Sequence, residues 1–454
     1  MLDAATSTPP SVAHNFSWTL IGNGLFACFQ WAMFVVLAKL CSAEMVGKFA
    51  LALAITAPVF LFAGFNLRTV QATDAVSEFQ FRDYMGLRLL STAAAFAFVL
   101  AIEIASGQSA DLLLVVLMTG VAKALDSIGD VIFGLLQQRE QMDRIAKSQI
   151  ARGLLQLLGF SAAAYATRNV FWALTGMGAA SLVVLLGYDL RNARRVLYLS
   201  RSTENRVRYF GVADLAPLQV GTWRKVRALL RVSFPLGLVA VLGSLLVNIP
   251  RYFVEGAAGK AELAVYSAMA YSISMGGIAV GSVCQAAAAR LARYYVANFR
   301  QFSKLLLQLV AGSAANGAIG VLVALLWGRQ LLTILYRPEY AKYPAVFAWV
   351  MVAAGVSFVA TALGYGLAAA RKFDVQVPIY LCSVLMVVGA CALLVPRFGL
   401  LGAAWALLAG FLTWCAGFTL AMTFALSTRT RMRTVRAMAA SLTAPVSIGI
   451  LTDR

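Results

Sequence analysis

The chain has 454 residues, of which 61% are hydrophobic and only 13% charged, and its mean hydropathy is +0.79. That is more apolar surface than one soluble core can hide, so lipid must solvate the excess, and a sizeable soluble domain is excluded. The formal net charge of +19 then reads as loops on the cytoplasmic side of a membrane rather than as a nucleic-acid footprint.

In chain order, a polar tail over 1–15 holds the only histidine, His14, close behind Pro9 and Pro10. No Lys or Arg precedes the first apolar run, which is long enough to span, so it reads as a retained helix and not as a cleaved signal. At about twenty apolar residues per crossing, spans fall near 16–38, 46–66, 85–105, 112–136, 150–167, 169–188, 231–250, 263–287, 305–327, 345–369, 375–395 and 400–426. The fifth and sixth meet tightly around Arg168 and Asn169. The last is followed by a basic tail over 428–454, whose apolar stretch 437–452, interrupted by Pro445, is expected to lie as an interfacial helix.

The long connection over 189–230 divides the spans into two lobes of six, 16–188 and 231–427, the layout of a transporter built from parallel repeats. Sorting the 38 basic residues among alternate connections puts 28 on one side and 9 on the other, with Lys123 alone inside a span. The richer side holds both ends of the chain and the 189–230 connection, so by the positive-inside rule all three are cytoplasmic.

Several chemistries are not encoded. There is no GxxxxGK[ST] loop, and Cys28, Cys41, Cys284, Cys382, Cys391 and Cys415 form no CxxC pair and stand beside no His cluster. No metal or other cofactor is expected. The short outward connections hold no acid–base pair of the sort a membrane glycosyl-transferring enzyme needs, which favours transport driven by an existing gradient.

The fourth span carries Lys123, Asp126 and Asp130. At 100° per residue the two carboxylates lie about 60° and 20° from the lysine, with Ser127 and Gly134 on the same face. Each charge costs roughly 2.5–3.5 kcal/mol at the bilayer centre, so the stripe must face protein or water. It is either an ion-pair ladder pinning helix packing or an ion-coupling site. Lys123 is expected to pair with Asp126, leaving Asp130 as the uncompensated carboxylate for a proton or sodium ion. Arg68 and Gln71 stand at one end of the second span, and Asn248 and Arg251 at the other end of the seventh. An arginine there is either a snorkelling anchor or a bidentate phosphate ligand. Asn23, Gln30, Gln156, Gln285 and Asn316 are interhelical hydrogen bonders, of which Asn23, Gln30 and Gln285 could also line a cavity.

The segments FNLRTVQATDA (65–75), FRDYMGLRLLS (81–91), KALDSIGDVIFGLLQQREQMDRIAKS (123–148), NIPRYFVE (248–255), LLTILYRPEYAKY (331–343) and RFGLLGAAWALL (397–408) resemble the polysaccharide-biosynthesis membrane proteins of the multidrug/oligosaccharidyl-lipid/polysaccharide exporter superfamily, in particular the Wzx-type oligosaccharide flippases. The likeness runs over about 15–426. It implies an all-α membrane fold of two six-helix lobes around a central cavity that opens alternately to the two sides. It further implies carriage of a polyprenyl-pyrophosphate-linked oligosaccharide across a bacterial inner membrane, with Arg68 and Arg251 near the mouths of the path. A polysaccharide polymerase and chain-length machinery are the implied protein partners, and H+ or Na+ the coupling ion. The other classes to be weighed are a cation-coupled drug exporter of the same superfamily and a membrane glycosyl-transferring enzyme. For the orientation, reporter fusions at Ser202 and after Arg436 should both report the cytoplasmic side, and a periplasmic signal from either would overturn it.

Overall fold

The computed structural model describes residues 11–40, 43–106, 110–202, 222–335 and 342–442. Those residues are almost entirely helical, as lipid demands of any backbone that has no water to bond. The elements are α1 (Val12–Leu40), α2 (Ala43–Ala63), a short α3 (Leu67–Ala72), α4 (Phe81–Ser106), α5 (Ala110–Gln138), α6 (Met142–Thr167), α7 (Val170–Val184), α8 (Leu190–Ser202), α9 (Thr222–Ala297), α10 (Phe299–Leu335), α11 (Pro344–Ala369) and α12 (Gln376–Leu442). Nine helical stretches among the described residues are long and apolar enough to cross a membrane. Gly259 and Gly399, with φ of 84° and 55°, break α9 and α12 into two arms each, so the expected pairs 231–250/263–287 and 375–395/400–426 each occupy one helix-turn-helix run. The fold is an all-α membrane fold, and the chain crosses the membrane many times.

The tight junction between the fifth and sixth spans is where the sequence places it. α6 ends at Thr167, Arg168 takes a left-handed conformation, and the Asn169 side chain accepts the Phe171 N–H at 2.8 Å to start α7. Three boundaries differ from expectation. α1 begins at Val12, so His14 is helical and not part of a tail. α6 begins eight residues before the expected 150, because the polar turn at 142–149 continues the helix beyond the hydrocarbon. The second arm of α12 runs unbroken to Leu442, so the expected interfacial helix does not begin afresh at 437; 443–452 lie outside the described residues. Of the basic 189–230 connection, 203–221 likewise lie outside them, and its start is the helix α8.

Two local breaks aim side chains inward. Phe65 and Asn66, both at φ 46°, separate α2 from α3 and turn Arg68 towards the middle of the bundle. A π-turn at Leu185–Asp189 joins α7 to α8 and presents Asp189, fully buried, to α6.

One apolar cluster belongs to α1–α7, with Leu37, Phe160 and Leu174 at its centre. A second belongs mainly to α9–α12, with Tyr266, Phe302 and Phe411. A third joins the halves: Leu67, Tyr84, Leu136 and Met142 pack with Leu229 and Leu236 of α9 and with Ala368 and Phe373 around the α11 terminus. It sits at the end of the bundle where the 73–80, 139–141 and 370–375 loops lie. We call this the basic end, and that of Arg168, Gly259 and Gly399 the far end.

Candidate functional site

The charges on α5 are answered from neighbouring helices. Asp130 pairs with Arg88 of α4 at 3.1 Å and with Arg68 of α3 at 3.7 Å. Asp126 pairs with Arg152 of α6 at 3.2 Å and lies 3.4 Å from the Gln156 Nε2 donor. Arg152 also binds Asp189 at 2.5 Å, and Ser148 donates to the other oxygen of that carboxylate. The guanidiniums of Arg68 and Arg152 each lie 5.4 Å from the Phe133 ring centroid, so one aromatic ring carries two cations. Gly129 makes this crossing possible, because a Cβ there would meet the Arg152 guanidinium, with Cζ only 3.0 Å away.

The expected Lys123–Asp126 pair is therefore a correction. Among the described residues Lys123 forms no ion pair, because the planar fork of Arg152 takes Asp126 together with Asp189. Nor is Asp130 uncompensated, since two arginines hold it. The sign of the cluster changes with them: Lys123, Arg68, Arg88 and Arg152 face Asp126, Asp130 and Asp189, leaving one positive charge where the stripe alone suggests one negative.

A cavity of about 800 Å³ lies between α2, α5 and the first arm of α9. Arg88, Lys123, Asp126 and Asp130 line it from one side, and Asn248 and Tyr252 line it towards the far end. Arg251 reaches this wall through Asn248, whose Oδ1 accepts from Nη1 at 2.9 Å, while the Arg251 Nε is buried without a partner. Arg68 sits behind Asp130, donating to Gln137 Oε1 at 2.8 Å and lying against the Gln285 amide, whose oxygen accepts from Nη2 at 2.6 Å in the orientation that satisfies the guanidinium.

Gln71 is buried against α5, its amide 3.0 Å from the Val131 carbonyl, so it braces α3 and does not face the cavity. Asn23 donates to Ser282 at 3.0 Å and accepts from Gln149, and Gln30 donates to Gln156 at 3.0 Å. Neither lines the cavity around Lys123, nor does Gln285; all three act as interhelical bonds, as does Asn316 to the Gly276 carbonyl. Arg88, Arg152 and Asp189 were not legible as site residues, because each stands within a few residues of a charged loop.

At the basic end, α5 and α11 finish alike. Gln141 N–H bonds Leu136 C=O and Glu140 N–H bonds Gln137 C=O; Lys372 N–H bonds Leu367 C=O and Arg371 N–H bonds Ala368 C=O. These are two Schellman caps, each with a charged residue rather than glycine at the left-handed position, Glu140 at φ 56° and Arg371 at φ 55°. Each reaches into the other half. Glu140 binds Arg290 and Arg293 of the second arm of α9, and Arg371 binds Asp74 at 3.4 Å and Glu78 at 3.0 Å. Asp74 is fully buried and is held in place by the Glu78 and Phe79 N–H groups and the Tyr84 hydroxyl. The two clamps and the shared apolar cluster close the molecule at this end.

The many-spanning helical bundle is a fold known from membrane transporters. Solved structures share it: a mutant of the Vibrio cholerae MATE transporter VcmN matches at a TM-score of 0.75 and 12% identity over 92% of this chain and 96% of that one. A transporter of the MOP superfamily from Pyrococcus furiosus, described as having a binding pocket of reversed polarity, matches at 0.68 and 14% over 94% and 96%. Among curated proteins, the capsular polysaccharide biosynthesis protein CapF of Staphylococcus aureus is 26% identical over 86% of this chain and 94% of its own length. No family model matches. The chain thus has the fold of these transporters and is similar over most of its length to a capsular polysaccharide biosynthesis protein.

Removing Arg152 should strand two carboxylates in a low-dielectric interior, at a cost of about 3–5 kcal/mol. Arg152→Ala is therefore expected to lose folded protein in detergent melting curves, and Arg152→Lys to recover only part of it. Unchanged melting of the alanine variant would show that Asp126 and Asp189 do not depend on it.

Proposed function

We propose that the protein is a flippase of the bacterial inner membrane, with both termini cytoplasmic, that moves polyprenyl-pyrophosphate-linked oligosaccharide repeat units by alternating access and does no covalent chemistry. The observation that carries this reading is the charge network on and behind the cavity wall: Lys123, Arg68, Arg88 and Arg152 face three carboxylates, and Lys123, without an ion pair among the described residues, lines the cavity beside Arg88, Asp126 and Asp130. A network with one cation in excess suits an anionic pyrophosphate better than the cationic drugs that the alternative reading would require. The capsule-biosynthesis relative supports a glycan destined for the cell surface, which a polymerase and its chain-length partners would then receive.

In this reading Asp130 occupies the arginines while the cavity is empty. A pyrophosphate entering from Lys123 exchanges with it on Arg88, whose fork matches phosphate oxygens bidentately. The released carboxylate is then uncompensated and takes up a proton or sodium ion, which links substrate movement to a gradient. Asn248 and Arg251, on the opposite wall, take the substrate onward at the far end. The clamps at Glu140 and Arg371 hold the basic end shut in the present state and must open for loading from the cytoplasm.

Lys123→Ala removes a charge that stabilises no ion pair, so it should leave protein levels unchanged while weakening retention of the lipid-linked substrate. A charge-assisted contact worth about 1.5–3 kcal/mol implies a loss of roughly 10- to 100-fold. Undecaprenyl-linked repeat units should accumulate on the inner leaflet of a strain carrying it, and normal export at normal protein level would remove Lys123 from the path. Asp130→Asn should bind substrate at least as well as the natural chain but lose the dependence of transport on the gradient. Gradient-sensitive transport by that variant would return Asp130 to a purely structural role.

Each clamp sets a buried acid, Glu140 or Asp74, against arginines that are partly exposed, so breaking one should cost at least about 1 kcal/mol. Glu140→Gln or Arg371→Gln should therefore raise the population open at the basic end at least about fivefold, seen as a longer distance between spin labels at Arg139 and Arg300. An unchanged distance distribution in both variants would show that the apolar cluster alone keeps this end closed.

A further inference from the structure

A second cavity, of about 1050 Å³, lies on the opposite side of α2 from the charged one, and Pro58 lines both. Its wall is apolar: Phe62 and Phe65 from the α2 end, Leu90 and Phe98 from α4, and Leu230 from α9. Its mouth is not. Trp223, Arg224 and Arg227, on the first two turns of α9, close it at the basic end. Both arginines are solvent-exposed, and among the described residues neither has an ion pair.

Depth and chemistry agree on the occupant. From Leu87 to Phe98 the groove follows α4 for eleven residues, or roughly 16 Å, about half of a ~30 Å hydrocarbon core. That is the depth of a single leaflet, the reach of an acyl chain anchored at the surface. Trp223 is 48% exposed at the level where tryptophan settles between headgroup and hydrocarbon. Two cations beside it, on the side that the positive-inside rule assigns to the cytoplasm, are complementary to an anionic headgroup, and basic pockets between helices on that face take such lipids.

We infer that this groove is a binding site for an anionic phospholipid of the cytoplasmic leaflet, its phosphate on Arg224 and Arg227 and its acyl chain between Phe65, Leu90 and Phe98. The inference goes beyond the transport reading and does not depend on what the charged cavity carries. Because α2 and α4 belong to one half and α9 to the other, the lipid fills a seam between the halves on the membrane side, opposite the charged cavity. It therefore binds the state closed at the basic end and stabilises it.

The test is lipid retention by the full chain reconstituted in nanodiscs of equal phosphatidylcholine and phosphatidylglycerol, then released into detergent and weighed by native mass spectrometry. The natural chain should keep phosphatidylglycerol several-fold over phosphatidylcholine, and the double variant Arg224→Gln, Arg227→Gln should lose that preference. Ala94→Phe, which fills the groove without touching the arginines, should lose the retained lipid of either kind. Equal retention of both lipids by the natural chain, or a preference that survives the double variant, overturns the site. Displacement of phosphatidylglycerol by equimolar undecaprenyl phosphate would also overturn it, by giving the groove to the carrier lipid. A double variant that no longer folds leaves Ala94→Phe to decide.

Discussion

A charge placed inside a bilayer must be answered by another charge or by water, and most of the N-terminal half is arranged around that demand. The middle of α5 carries three charges, Lys123, Asp126 and Asp130, that its neighbours cannot ignore. α3 is broken from α2 to bring Arg68, α4 sets Arg88 beside Asp130, α6 sends Arg152 across Gly129, and a π-turn between α7 and α8 delivers Asp189 to that same arginine. Both of these irregularities, the α2–α3 break and the π-turn, serve this network. Lys123, the member of the network without an ion pair among the described residues, faces the cavity beside Arg88, Asp126 and Asp130.

The same demand explains what could be read from the sequence and what could not. Spans were legible because hydrocarbon thickness fixes their length, and the Arg168–Asn169 junction because two polar residues interrupt the apolar run there; that Asn169 caps α7 is seen only in the structure. The stripe Lys123, Asp126, Asp130 was legible because helical spacing alone puts it on one face. Its partners were hidden by the window that finds spans. Arg88 lies seven residues into α4 and Arg152 ten residues into α6, yet both stand at the edge of the apolar runs and were counted as loop charges. Helices that begin well outside the hydrocarbon carry such residues inward, and hydropathy does not register their polar first turns. Taking Arg68, Arg88 and Arg152 out of the loops leaves the basic bias on the same side.

Gln71 illustrates a different limit. A polar residue one turn from Arg68 is as well placed by sequence to line a path as to brace a helix, and only its burial against the α5 backbone decides. Asn23, Gln30 and Gln285 were open between the same two roles, and side-chain partners on other helices assign them to packing. The choice turns on which helices are neighbours, and apolar spacing along one helix carries no information about that.

The two clamps at the basic end differ in one respect that their shared geometry conceals. The N-terminal half brings only acids to them, Asp74, Glu78 and Glu140, and the C-terminal half only bases, Arg290, Arg293 and Arg371. Two N-terminal halves brought together in the same way would oppose carboxylate to carboxylate, and two C-terminal halves guanidinium to guanidinium. Both halves are bundles of apolar helices and could otherwise be mistaken for each other as they leave the ribosome and enter the bilayer. Their opposite polarity makes each a partner for the other and a poor partner for itself, so correct pairing within a single chain is written into the sign of six side chains.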